Sequence, residues 1–570
     1  MNAHKKTAAK RPRRLAWLLA ALLAAMTMIP ALAGQEEMSQ MTDTTIRVNQ
    51  IGFLPGAIKT AVLPDADAAT AFRVVNAQTG EIAFEGEWSA PIDNPGAGET
   101  NRVADFTALA APGRYRVEAE GLASPEFDVG EGVYDELFRA SVKMLYLQRC
   151  GVALDEALAG DFAHPECHMQ PGIVYGTDEQ IDVSGGWHDA GDYGRYVVPG
   201  AKTVADLLLA YEALGVRADD IGIPESGDGL DDLLQEAKFE LDWMLKMQRA
   251  DGGVYHKVTG PNFPGFAMPE KENWDMIVSP VSNAATADFA AVMAWASRVY
   301  AADWPAEAEG YLAAARRAWD YLAAHRGDAG FRNPAGVSTG EYGDDCDADE
   351  YFWAAAELAK ATGEAAYRQA ASDFMAEGGY RRGMGWKEVG TYGILAVLTD
   401  AGLTEDDPLR QAAQNELRAT LNDALRLIEA NPYGADRGMD YEWGSNMGIA
   451  NTGALLTLGA RILGDEHLRV QAQHSLDYLL GRNATGYCFV TCFGTLSPKR
   501  PHHRPSVYKH QPMPGMLVGG PNNGLQDAAA ISLRGNPPAK CYLDNSDSYS
   551  TNEICIYWNS PLTLLLAGIR

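Results

Sequence analysis

Asp189 and Asp192 stand three residues apart in the run Ser184-Gly185-Gly186-Trp187-His188-Asp189-Ala190-Gly191-Asp192-Tyr193-Gly194-Arg195-Tyr196. If both are buried they cannot titrate as ordinary surface acids, because like-charge repulsion raises the pKa of one. The glycines permit sharp turns and close backbone approach to a ligand. Trp187, Tyr193 and Tyr196 offer flat apolar faces with polar edges, the kind of surface that meets a sugar ring. A lone pair of this spacing is more often a turn with solvated aspartates. A third carboxylate weighs against that here. Glu553 lies between the polar run Asp544-Asn545-Ser546-Asp547-Ser548 and the apolar stretch Ile554-Cys555-Ile556-Tyr557-Trp558 at the start of the last helix. A carboxyl group held against such residues is desolvated, keeps its proton near neutral pH and suits a general acid. Between the two constellations, Ser497-Pro498-Lys499-Arg500-Pro501-His502-His503-Arg504-Pro505 supplies His and Arg groups that can bind hydroxyls or steer a carboxylate.

Taken in order, these three segments resemble the glycoside hydrolase family 9 cellulases with an N-terminal immunoglobulin-like domain. The resemblance spans nearly the whole chain after residue 33. It implies a secreted, inverting hydrolase of β-1,4-glucosidic bonds in cellulose or related β-glucans, of the endoglucanase type. Residue by residue, it makes Asp192 the base that activates water, Asp189 its helper on the same water, and Glu553 the acid. It assigns His502, Arg504 and Asp544 to the cleft and sets Trp443 and Trp558 on its aromatic lining. His256 is a further candidate contact, with a core role equally open. Leu496 stands where Asn, Lys or Arg is usual, and Cys555 where Ser, Thr or Ala is usual. Inversion requires the acid and base carboxyl groups to lie about 6.5–9.5 Å apart, leaving room for a water. Two rival readings are an exo-acting relative and a sugar-binding protein on a silent scaffold. The presence of all three carboxylates argues against the second.

The seven cysteines are an odd number, so at least one is unpaired. Cys150, Cys167, His168 and His188 form a Cys2His2 set, and the resemblance implies a structural zinc there, closed and tetrahedral. A Cys150–Cys167 disulfide is the alternative. No pairing is assigned to Cys346, Cys488, Cys492, Cys541 or Cys555. Asp344, Asp345, Asp347, Asp349 and Glu350 crowd the start of a helix, where the dipole favours acids in any case. So many oxygens also suit calcium, and the resemblance implies Asp345, Asp349 and Glu350 as ligands with a later Glu388. No organic cofactor is expected.

The formal charge is −29. Residues 1–33 carry six Lys/Arg and no Asp/Glu, followed by an apolar run and Ala31-Leu32-Ala33, the plan of a secretory signal peptide. Its removal takes the charge to −35, which excludes nucleic acid and anionic membrane as partners and fits a soluble, secreted monomer acting on a neutral substrate.

Positioning these groups requires at least two domains. Residues 44–130 show short alternating strands, at 46–48, 59–63, 72–75, 102–106 and 115–117, separated by turn signals. This predicts a small β-sandwich that packs against its neighbour. From 134 to 570 the apolar spacing becomes helical, at 201–214, 230–249, 284–302, 306–325, 349–362, 411–429, 447–463 and 467–480. With the resemblance, this predicts a mainly α protein whose catalytic domain is an (α/α)6 barrel. The chemistry-bearing segments then fall in its loops and helix ends.

Overall fold

The computed structural model describes residues 46–65 and 69–570. The signal-peptide segment 1–33, on which the reading of secretion rests, lies outside the described residues. The first nine strands are β1 Gly52–Phe53, β2 Thr60–Pro64, β3 Ala71–Asn76, β4 Ile82–Glu87, β5 Ile92–Asn94, β6 Glu99–Asp105, β7 Gly113–Ala119, β8 Leu122–Ala123 and β9 Phe127–Val129. They form two sheets, one in the order β1-β9-β7-β3-β4 with β8 paired to β7, the other β2-β6-β5. In β7, Tyr115, Val117 and Ala119 are buried while Arg114, Arg116 and Glu118 point outward, the period-two pattern of a strand with one wet face. Phe53 sits edge-on to Phe106 and Phe127 in the shared core. Strand β4 has no fully buried residue, and its alternation is confined to half-buried Phe84 and Gly86 beside exposed acids, too weak a pattern to read from sequence.

Twelve helices build the larger part: α1 Asp135–Tyr146, α2 Val197–Glu212, α3 Asp232–Lys246, α4 Asn283–Val299, α5 Pro305–Ala324, α6 Ala348–Thr362, α7 Ala365–Glu377, α8 Gly390–Leu398, α9 Pro408–Ala430, α10 Ser445–Leu463, α11 Glu466–Leu479 and α12 Ile556–Ile569. The even-numbered helices form the inner ring and the odd-numbered ones wrap it, giving an (α/α)6 barrel. Burial follows from position. All of α8 is buried, whereas α9 buries only a stripe, Leu409, Ala413, Leu417, Leu421 and Ile428, as expected for helices covered on all sides and on one side. The ring closes where α12 packs against α2 and α10.

The sandwich is fastened to the barrel by buried polar contacts. Asn49 donates to Asp477 at 2.9 Å, Arg482 to Thr60 at 2.6 Å, and Tyr433 to Glu99 at 2.7 Å. A small sheet over the barrel mouth joins β10 Gly172–Val174, β11 Gln180–Ile181, β12 Arg195–Tyr196, β13 Lys257–Thr259 and β14 Met276–Val278 in the order β11-β10-β14-β13-β12. It ties the end of the Asp189–Asp192 segment to the strand that leads into residues 260–275.

Candidate active site

The three carboxylates meet at one end of the barrel. Asp189 and Asp192 lie in the loop before α2, and Glu553 directly precedes α12, so closure of the inner ring brings them together. The two loops are stitched by Ile556 N–H, which donates to the Asp189 carbonyl at 2.7 Å, and the His502 segment joins them through its N–H on the Asn552 carbonyl at 2.9 Å. Gly191 is required here by close approach. A Cβ at this position would lie 2.3 Å from the His502 carbonyl oxygen and 3.2 Å from a Glu553 carboxylate oxygen.

Asp189, Asp192 and Glu553 line a cleft of about 340 Å³, shared with Ala190, Tyr196, Phe263, Tyr342, Trp386, Trp443, Tyr557 and Trp558. Rings form its walls. Tyr342 stands edge-on to Tyr196, Trp386 and Tyr557 at 4.8, 5.0 and 5.8 Å. On another flank, Phe266, His502, Tyr549 and Trp443 follow one another at 5.4, 5.9 and 5.3 Å. Trp443 is 41 % exposed, and its chain neighbour Glu442 lines, with Asp440, Asn523 and Gln526, a second, larger cavity of about 770 Å³.

The acids differ in their surroundings. Burial, with the charge of Asp192 second, holds the Glu553 carboxyl well above the ordinary carboxylate range, against a lowering by Arg504. Burial and Asp192 also raise Asp189. Asp189 Oδ2 accepts a 2.6 Å hydrogen bond from the Tyr342 hydroxyl, while its Oδ1 has no donor among the described residues. Asp192 Oδ2 accepts from Gly194 N–H at 3.1 Å and from the Tyr196 hydroxyl at 3.4 Å.

Several sequence-based expectations are corrected. Trp187 and Tyr193 do not face the cleft. Trp187 is buried with its indole N–H on Glu236, and the Tyr193 ring lies against His188 and His168. His256 is also no sugar contact. It is fully buried, stacked on Phe331 at 3.7 Å, with Nδ1 on Ser282 and Nε2 on the Glu341 carbonyl, so it supports the segment that presents Tyr342. Asp544 accepts from the Lys499 and Arg500 amides at 2.8 and 2.9 Å and so holds the backbone that leads to His502. Arg504 donates from Nε to the Pro264 carbonyl and from one terminal nitrogen to the Gly191 carbonyl. Trp443 and Trp558 do line the cleft.

Sequence reasoning missed Tyr342 and Trp386, which come from loops without helical or strand periodicity. It also missed Gln148, which donates to the His188 and Ala190 carbonyls at 3.1 Å and is itself held by buried His503.

Cys150, Cys167, His168 and His188 converge, all buried, with their ligand atoms within 4.8 Å of one another. Cys150 Sγ lies 3.6 Å from His168 Nδ1, and Cys167 Sγ lies 4.0 Å from Cys150 Sγ and 3.7 Å from His188 Nε2. Zn–S bonds of ~2.3 Å in a tetrahedron give S···S edges of about 3.8 Å, so the set fits zinc. The sulfur separation rules out a disulfide in this geometry, and all seven cysteines are free. The four acids expected to hold calcium do not converge. Asp345 turns outward, its side chain 70 % exposed, and pairs with Arg332. Asp349, also one of the expected four, acts on buried Glu350 together with Asp288 and Asp344, and it accepts from the Val389 amide at 2.9 Å. Among the described residues only the Cys2His2 group draws three or more such ligand atoms together.

Residues 134–566 match Glycosyl hydrolase family 9, and residues 41–124 match the cellulase N-terminal ig-like domain. The chain is 38 % identical over 549 residues to a cellodextrinase of Butyrivibrio fibrisolvens, covering 92 % of this chain and 99 % of that one. It is 36 % identical over 578 residues to a xyloglucan-specific endo-β-1,4-glucanase of Bacteroides ovatus, covering 95 % and 96 %. A thermostable endoglucanase mutant from Alicyclobacillus acidocaldarius superposes with a TM-score of 0.86 at 36 % identity, covering 92 % and 99 %.

Proposed function

Because the chain belongs to glycosyl hydrolase family 9, we propose that it hydrolyses β-1,4-glucosidic bonds inside β-glucan chains by a single inverting displacement. The observation that carries this is the meeting of Asp189, Asp192 and Glu553 in one ring-walled cleft. Glu553, kept protonated by burial, gives its proton to the leaving glycosidic oxygen. Asp192 takes a proton from the attacking water, and Asp189, held by Tyr342 through one oxygen, orients that water with the other. The rings stack on the apolar faces of glucosyl units. Attack on a β-linkage by this route yields the α-anomer first. Proton NMR of the new reducing end tests it, and β-product appearing first refutes the base role of Asp192.

Endo action is supported by the similarity to enzymes named as endoglucanases. On carboxymethylcellulose, viscosity falls early relative to reducing ends. Release of a single short product from the outset on cello- and chito-oligosaccharides refutes this and favours exo action. A zinc bound by the Cys2His2 set has four protein ligands and no open position, so it supplies support to the loop and not an activated water. Calcium is proposed only for the buried acids around Glu350, several of whose oxygens lack donors. The leader-like residues 1–33 support secretion.

A further inference from the structure

Residues 260–275, which connect β13 to β14, carry Phe263 and Phe266, 48 % and 40 % exposed. Phe263 lines the cleft and Phe266 stands edge-on to His502. Exposed rings on so long a connection hold a fixed pose only if the backbone is anchored; Ser338 holds its start through Asn262 at 2.7 Å, and four further side chains anchor the rest. Arg504 donates to the Pro264 carbonyl at 2.8 Å, and Gln170 to the Trp274 carbonyl at 3.0 Å. The Tyr193 hydroxyl donates to the Ala267 carbonyl. His168 Nε2 meets a Glu272 carboxylate oxygen at 3.2 Å.

Three of these anchors belong to or adjoin the Cys2His2 cluster. His168 is one of its members, and its Nδ1 faces Cys150, leaving Nε2–H for Glu272. Gln170 follows two residues later. The Tyr193 ring lies 4.9 Å from that of His188 and 5.8 Å from that of His168. A metal-ligating histidine commonly donates its second ring N–H to a carboxylate, which fixes the ring. Here that carboxylate sits on the substrate-facing loop, so whatever fixes the cluster also fixes the loop.

We propose that the Cys2His2 cluster anchors the sugar-facing segment 260–275 as well as the loop bearing Asp189, with Tyr193 and Glu272 as positioning residues that set how Phe263 and Phe266 meet the glucan. The inference rests on the hydrolase reading above. It makes Tyr193 and Glu272 determinants of affinity for longer chains, separate from the proton transfers at Glu553 and Asp192.

The test uses the full-length, zinc-loaded protein and two variants, Tyr193→Phe and Glu272→Gln. Each is expected to keep about one zinc per chain and a kcat on cellohexaose within about twofold of wild type. KM rises about three- to tenfold, the size of one lost hydrogen bond at about 1.4 kcal/mol per tenfold. Amide exchange in residues 260–275 accelerates in both variants and in wild type treated with chelator. Unchanged exchange in this segment in the variants and after chelation overturns the proposal, as does a fall in kcat at constant KM. Should Tyr193→Phe fail to fold, Glu272→Gln decides alone. Wild type that turns over no β-1,4-glucan refutes the hydrolase reading, while the exchange data still decide the anchoring.

Discussion

Tyr342→Phe isolates the orientation of Asp189 from everything else in the cleft. The Tyr342 hydroxyl is the only donor to the Asp189 carboxylate among the described residues, at 2.6 Å, because Oδ1 has none. The substitution leaves the ring, and with it the packing on Tyr196, Trp386 and Tyr557. A hydrogen bond to a charged group is worth about 1.5–3 kcal/mol. At about 1.36 kcal/mol per tenfold, its loss predicts a drop in kcat of roughly 10- to 150-fold if the bond matters fully in the transition state. KM should move little, since the stacking surfaces remain. Steady-state kinetics on a soluble cello-oligosaccharide, with a melting curve to confirm the fold, gives the answer. A kcat within about twofold of wild type would show that Asp189 needs no orientation by Tyr342 and that the water is positioned by Asp192 alone.

Glu553→Gln should lower turnover of natural glucans by about 10²–10⁴-fold while leaving binding largely intact. The loss should be far smaller on an aryl glycoside whose leaving group departs without a proton, and equal losses on both would remove the acid role. The raised Glu553 carboxyl also has a pH signature. Activity needs its proton, so kcat falls as pH rises through its elevated value. The folded state holds a proton that the unfolded chain loses near pH 4.3, so stability declines as pH rises from there to that elevated value. Glu553→Gln should therefore melt higher than wild type at neutral pH and show a flatter profile, and matching profiles in calorimetry would refute the burial argument. Elemental analysis should find about one zinc per chain, and Cys167→Ser should lower melting temperature and turnover together. A zinc-free enzyme of full activity would sink the metal assignment.

Much of the site was legible because its residue types are chemically unusual where they stand. Acids among glycines and aromatics, and a Cys2His2 set running into one of them, have few structural explanations. The rings were harder. Trp187 and Tyr193 share a segment with Asp189 and Asp192, yet side chains along an irregular turn diverge, and these two turn toward α3 and the metal cluster. The spacing of residues in sequence carries no information on that direction. Tyr342 and Trp386 were invisible for the complementary reason: they reach the cleft from long loops whose course is set by buried supports such as His256, which sequence alone offered as a ligand contact. The helices with a single wet stripe were readable to within a few residues, as at Pro305–Ala324. The short strands over the barrel mouth were not, having only two or three residues each.

The position of Glu553 immediately before α12 ties the chemistry to the order of folding. The Asp189–Asp192 loop leads into the first inner helix, and the acid arrives with the last, so catalytic pairing waits on a contact spanning more than three hundred and fifty residues. Closing a loop of that length is slow compared with forming neighbouring helical hairpins. A folding intermediate with the early hairpins in place but the ring still open would hold its two aspartates and lack the proton donor. Hydrolytic competence should therefore appear in one step, at the closing of the circle, and lag behind the recovery of helix content during refolding.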